Sequence, residues 1–131
     1  MRKTKRNGNG YTHSKYKNKK IIIDGITFAS LSEGQRYVDL KEMQARGDVI
    51  SFEIQPEFIL QPSFVKKGKT IRAIKYVADF KVVRKDGSVH IEDVKGSAGF
   101  MTDVFRLKKK IFEFRYPDLE IEIVLVPRRK K

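Results

Sequence analysis

The stretch Tyr76 to Gly96, YVADFKVVRKDGSVHIEDVKG, most constrains what this chain can fold into. Its Val, Ile, Phe and Tyr content predicts two β-strands joined by a tight turn, because these residues suit a pleated, half-buried surface. Asp79, Asp93 and Lys95 interrupt the apolar pattern. Isolated charges on a core-facing strand are costly. The least costly arrangement brings them together, with a cation, at an edge of the core.

Side chains alternate faces along a strand, so the hairpin register decides whether these groups meet. Asp93 and Lys95 share a face with Val89 and Ile91, and Asp79 shares one with Val77 and Val83. A two-residue Asp86-Gly87 loop pairs Lys85 with Ser88 and turns Asp79 away from Lys95. A three-residue Lys85-Asp86-Gly87 loop, with Gly87 left-handed, pairs Arg84 with Ser88 and sets Asp79 opposite Asp93. The second loop is expected, because it gathers three otherwise costly charges into one site.

Directly opposed residues have Cβ atoms only ~5 Å apart. Two aspartates that close repel unless a cation lies between them. Short carboxylates suit Mg²⁺ or Mn²⁺, which keep several waters and also bind substrate phosphate. Asp79 and Asp93 are thus candidate ligands, with the Val94 carbonyl as a further one. Lys95 is a compact cation suited to holding an attacking water or a developing oxyanion. The structural alternative is a cross-strand salt bridge on a half-exposed hairpin. Glu92 points to the other face and reads as solvent-facing or salt-bridged. His13 and His90, the only histidines, have no ligand-spaced partner and receive no role. No Walker loop, dinucleotide fingerprint or paired-histidine zinc motif is present.

Glu33 is a further candidate. Ser30 and Glu33 form an S-x-x-E capping box at the start of a helix expected over Leu31–Arg46, with Gly47 as its stop. Glu33 serves either the cap or the acidic site. Ahead of this helix, Ile21–Ile23 and Ile26–Phe28 flank Asp24-Gly25, a hairpin signal. After it come Val49–Gln55 and Phe58–Gln61, interrupted by Pro56 and Pro62, which indicates an edge or a kink. Lys66-Lys67-Gly68-Lys69 is a polar turn, either a solvated loop tip or a phosphate contact. One long strand, Ile71–Val83, leads into the hairpin. A second helix is expected over Asp103–Tyr116, capped by Thr102, with Val104, Leu107, Ile111 and Phe114 as its buried stripe. Leu119–Val126 reads as a strand buried on both faces at its end. A helix crossing over between strands implies that this last strand pairs parallel within a mixed sheet.

The 131 residues fit one domain, and a hydrophobic fraction of 40% makes wholesale disorder unexpected. The expected division is a flexible basic arm over 1–15, a single domain over 16–127 and a basic tail over 128–131. Net charge is +13, and its placement matters more than its size. Residues 1–20 carry eight Lys or Arg without an acid and 128–131 carry four more, which leaves the body near neutral. Basic arms attract polyanions, above all nucleic acid, by counterion release. Lys17, Lys19 and Lys20 in the arm, with Arg106, Lys109 and Lys110 on the second helix, are the candidate DNA contacts. No apolar run approaches the ~20 residues of a membrane helix, and the N-terminus lacks the apolar core of a secretory signal. A chain without cysteine fits a reducing cytoplasm.

Asp79 with Asp93-Val94-Lys95 resembles the strand motif of the PD-(D/E)XK nuclease superfamily, and Glu33 matches its helix glutamate in position. Ala78 stands where that motif often has proline. The wider pattern is similar to that of a small phage and prophage family placed in this superfamily as endonucleases. It runs from Tyr16-Lys17-Asn18-Lys19-Lys20 through Asp24-Gly25-Ile26, Phe28 and Glu33 to Val77-Ala78-Asp79-Phe80 and Glu92-Asp93-Val94-Lys95-Gly96. The resemblance implies an α/β (α+β) fold with a restriction-endonuclease-like core: a mixed β-sheet flanked by helices in the order α-β-β-β-α-β. It also implies Mg²⁺-dependent DNA cleavage in a host cytoplasm, on substrates that include branched intermediates, and often a homodimer. The alternative is a non-catalytic nucleic-acid-binding protein that uses the same arms, with the hairpin charges purely structural.

Overall fold

The structure, a computed structural model, describes residues 19–97 and 101–126. The expected arm over 1–15, Lys17 and the tail over 128–131 lie outside those residues. The fold is mixed α+β. Strands β1 (Ile21–Ile23) and β2 (Ile26–Phe28) form a hairpin that feeds helix α1 (Leu31–Arg46). Asp24 (φ 53°) and Gly25 (φ 77°) both take the left-handed conformation that a two-residue hairpin turn requires. Ser30 caps α1 by accepting the Glu33 N–H, and Gly47 closes it at φ 90°.

Strands β3 (Val49–Ile54), β4 (Glu57–Gln61), β5 (Phe64–Lys66), β6 (Lys69–Ile71), β7 (Ile74–Val77) and β8 (Phe80–Arg84) make one long, kinked hairpin. The single strand expected over Ile71–Val83 is therefore divided. The kinks follow the prolines and the turn at Gln55. Pro56 accepts the Ala78 N–H (3.1 Å) but has no N–H to return, and Gln55 turns at φ 53°. Gln55 N–H still reaches the Asp79 carbonyl (2.9 Å), so the backbone pairing bends at Asp79 and does not end there.

Strand β9 (Val89–Lys95) pairs antiparallel with β8, and β10 (Ile121–Leu125) pairs parallel with β9, as the crossover through helix α2 (Asp103–Arg115) requires. The principal sheet runs β10-β9-β8-β3, and its elements occur in the chain as α1, β3, β8, β9, α2, β10. One core, with Phe28, Tyr37, Leu40, Phe80, Val82 and Val94, lies under α1. The other, with Leu60, Tyr76, Ala78, Ile91, Phe112 and Ile121, lies under α2. Strand β9 is sandwiched between them, which is why Ile91, Glu92, Asp93 and Val94 are all buried.

Two expectations need correction. The stripe Val104, Leu107, Ile111, Phe114 is not the buried face of α2: Val104, Leu107 and Phe114 are exposed, the last at 85%. The helix instead turns Phe105 and Phe112 inward, because Tyr76 and Phe58 on β7 and β4 offer aromatic edges to meet them. The apolar end of β10 is not buried on both faces either. Leu125 is exposed, since β10 is the edge of its sheet.

Candidate functional site

The hairpin that carries the charged residues has the three-residue loop. Arg84 N–H donates to the Ser88 carbonyl (2.9 Å), Gly87 N–H to the Arg84 carbonyl (2.8 Å), and Gly87 sits at φ 87°. The ladder then runs Val83–Val89, Val82–His90, Lys81–Ile91 and Phe80–Glu92. One step further on, Asp79 N–H donates to the Glu92 carbonyl (3.0 Å). Asp79 thus stands at the mouth of the hairpin beside Asp93, where β7 leaves β9 to pair with β4.

At this mouth the backbone is put to use. The Asp79 carboxylate accepts the Val94 N–H (2.6 Å). Along a strand the N–H and C=O of one residue point the same way, so the Val94 carbonyl opens on the same side. The adjacent Lys95 carbonyl faces β10 instead, where it takes the Val126 N–H (2.9 Å). Asp93 is buried and receives two donors: the Tyr76 hydroxyl (2.7 Å) on one oxygen and the Lys95 ammonium (2.9 Å) on the other. Lys95 also lies 4.8 Å from the centre of the Phe105 ring, a cation–π contact that brings the first turn of α2 to the site.

Helix α1 delivers the fourth group. Its N-terminus is pinned to the end of the sheet by the Ser32 hydroxyl, which donates to the Val126 carbonyl (2.7 Å). Gly96 permits this approach, since a Cβ there would stand 3.1 Å from Ser32 Oγ. Glu33 is thereby placed within the field of Asp93 and Lys95. Burial pushes its carboxyl above the usual range, the Ala29 N–H draws it down, and the Asp93 charge pushes it up again. Burial likewise pushes Asp79 up to about 7, with the Glu33 charge adding to the rise and the Val94 N–H opposing it. Tyr76 is pushed upward by burial and by the Asp93 charge, so its hydroxyl stays protonated and donating.

Three carboxyl groups and one ammonium therefore share a small, largely dry space. Among the described residues no three Asp, Glu or His side chains form a metal-holding group by themselves. A donor set of two carboxylates, a backbone carbonyl and water is of the kind that Mg²⁺ accepts. Burial is the main reason for the rise in Asp79, and the neighbouring Glu33 and Asp93 charges add to it.

The remaining candidates are scattered. Lys19 and Lys20 are exposed ahead of β1. On α2, Arg106 pairs with Asp103 (3.4 Å) and Lys109 with Glu113 (3.0 Å), while Lys110 is exposed. His90 turns away from Asp93, against Ser88 and Glu122. Glu92 is fully buried, and Arg36 of α1 clamps it through two hydrogen bonds of 2.8 and 2.7 Å. The sequence reading assigned no role to Tyr76 or Arg36. Tyr76 lies three residues before Asp79, so strict alternation along one strand would turn it to the opposite face, and only the break between β7 and β8 brings its hydroxyl to Asp93. Arg36 offered no signal either.

A family model described as "Protein of unknown function (DUF1064)" matches residues 13–130, so the chain belongs to that family. No curated protein and no solved structure matches it.

Proposed function

We propose that this chain is a Mg²⁺-dependent DNA endonuclease of the PD-(D/E)XK type, acting on DNA that includes branched forms. One observation carries the reading: at the hairpin mouth Asp79, which accepts the Val94 N–H, stands beside the buried Asp93, with Lys95 on Asp93 and the Glu33 charge close enough to push Asp79 up, an acidic excess that a divalent ion would balance. The chain order α1, β3, β8, β9, α2, β10 around one mixed sheet supports a restriction-endonuclease-like core.

Asp79, Asp93 and the Val94 carbonyl would hold Mg²⁺ or Mn²⁺. When bound, such an ion lowers the pKa of a coordinated water and offsets charge on the phosphate. The protein groups do the rest. Tyr76 fixes the Asp93 carboxylate, and Phe105 and Asp93 hold Lys95 where an attacking water or a developing oxyanion can be met. Glu33, with its raised pKa, is placed to accept or hold a proton at the edge of the site.

The rival is a DNA-binding protein that cuts nothing, in which the Lys95–Asp93 contact at 2.9 Å is a structural ion pair. Incubation of four-way junction, flap, single-stranded and linear duplex DNA with and without Mg²⁺ or Mn²⁺ separates the two. The nuclease reading expects metal-dependent cutting that falls at least ~100-fold in Asp79→Ala, Asp93→Ala and Lys95→Ala while DNA binding persists. Undiminished cutting in Asp93→Ala, or no cutting of any substrate, would remove it.

A further inference from the structure

The distal end of the long hairpin has no part in the site or in either core. Every residue from Gln61 to Arg72 is exposed, and β5 and β6 pair with each other. From Phe58 to Ala78 the chain carries Lys66, Lys67, Lys69, Arg72 and Lys75 and not one acid. Only Lys75 has an acidic partner among the described residues, Glu57 at 3.4 Å. The tip is set by Lys67 (φ 50°) and Gly68 (φ 76°), the backbone of a tight two-residue turn, so the ribbon has a defined shape. Phe64, Val65 and Ile71 are exposed on it, at 43%, 68% and 39%.

We propose that β5–β6 is a duplex-DNA-binding arm that lies in the major groove. This rests on the DNA-directed reading above and goes beyond it, since the sequence offered Lys66-Lys67-Gly68-Lys69 only as a loop tip or a phosphate contact and gave it no groove. A two-stranded ribbon is one of the two elements that the major groove admits. Four unpartnered cations on so short a projection suit phosphates on both sides of a groove. The exposed Phe64 and Val65 suit thymine methyl groups and base edges better than they suit water. A purely hydrophobic partner would leave the four cations unmatched, which is why a polyanion is favoured.

Position adds to the argument. Arg72 precedes Asp79 by seven residues, joined through β7. At ~3.3 Å per residue this spans at most about 23 Å. Along a duplex that is about seven base-pair steps at ~3.4 Å each. Arg72, at the base of the arm, can therefore meet DNA within one helical turn of the carboxylate site.

Fluorescence anisotropy with a labelled linear duplex, in EDTA and over a series of salt concentrations, tests this with the full chain. The quadruple variant Lys66→Gln, Lys67→Gln, Lys69→Gln, Arg72→Gln is expected to bind at least ten-fold more weakly than wild type near 0.1 M salt. The slope of log K against log salt should shrink by about 3.6, at ~0.9 for each of the four lost phosphate contacts. The single reversal Lys69→Glu should weaken binding in the same direction, which keeps the test open if the quadruple variant folds poorly. Affinity within two-fold of wild type with an unchanged slope overturns the arm. So does tighter binding of wild type to anionic phosphatidylserine vesicles or to a single-stranded oligonucleotide than to the duplex. Binding is read without metal, so loss of the arm's effect with cutting intact sinks the arm alone. Arm-dependent binding by a protein that cuts nothing sinks the nuclease reading alone.

Discussion

Glu92 and Asp93 are consecutive residues of one strand, both buried, and they live in opposite electrostatic settings. Glu92 faces α1 and meets the Arg36 guanidinium through two parallel hydrogen bonds, one acid against one base. Asp93 faces the α2 side, where it shares a single lysine with Asp79 and Glu33. The first arrangement is closed: charge and hydrogen-bonding capacity are both matched, and its job is to lock α1 onto the sheet. The second is unmatched, and a folded protein that half-buries more acid than base does so at a cost to its own stability. Such a cost is common where a site must receive something positive.

The largest expected effect comes from breaking the closed face. Arg36→Ala leaves Glu92 buried without its partner and should destabilise the protein by about 3–5 kcal/mol. Lys95→Ala should cost less than half as much, because Asp93 keeps the Tyr76 hydroxyl and the cluster borders solvent. Urea unfolding of both variants at pH 7 checks this. Equal costs would mean that the two faces are the same kind of structural ion pair, and the rival reading would gain.

The open face should answer to pH. Asp79 titrates near 7 in the fold against ~3.9 in an unfolded chain. Its folded pKa is raised, so the stability it lends is fully present below about pH 4 and is lost as pH rises through 7. In EDTA at pH 8, Asp79→Asn should therefore be more stable than wild type by roughly 2–3 kcal/mol, at about 1.4 kcal/mol per pKa unit and with some relief by solvent. The advantage should vanish near pH 4. The amide oxygen still accepts the Val94 N–H, so this hydrogen bond does not confound the comparison. Thermal melts across that pH range decide it, and a variant less stable than wild type at pH 8 would contradict the raised Asp79 pKa.

How far the contrast could be read from sequence depends on the range of the interactions. The hairpin register was legible because Lys85-Asp86-Gly87 is local turn chemistry, and α1 was legible from Ser30 and Gly47 at its ends. The parallel pairing of β10 followed from the crossover alone. The Arg36–Glu92 clamp joins residues 56 positions apart, and no spacing rule connects a helix face to a strand across that distance. Helix α2 misled for a different reason. Its apolar residues supply two competing stripes, and aromatic partners on β4 and β7 selected Phe105 and Phe112 over Val104, Leu107 and Phe114. The division of Ile71–Val83 was hidden too, because the kink originates in Gln55 and Pro56 on the partner strand.

The smallest effect is the most direct probe of the open face. An ion that binds the folded protein alone stabilises it by RT ln(1 + [L]/Kd), about 1.4 kcal/mol at ten times Kd. For a chain of this size that is a rise of about 4 °C in melting temperature. Mg²⁺ should produce such a rise in wild type at pH 8, where Asp79 is ionised, and a smaller one at pH 6, where it is mostly protonated. Asp93→Asn should abolish the rise, because it removes one of the two proposed carboxylate ligands. Arg36→Lys should retain it, because the Glu92 clamp lies on the other side of β9. If Mg²⁺ stabilises wild type and Asp93→Asn alike, the ion is bound elsewhere, and Asp93 then belongs with Glu92 as a residue that only holds the sheet together.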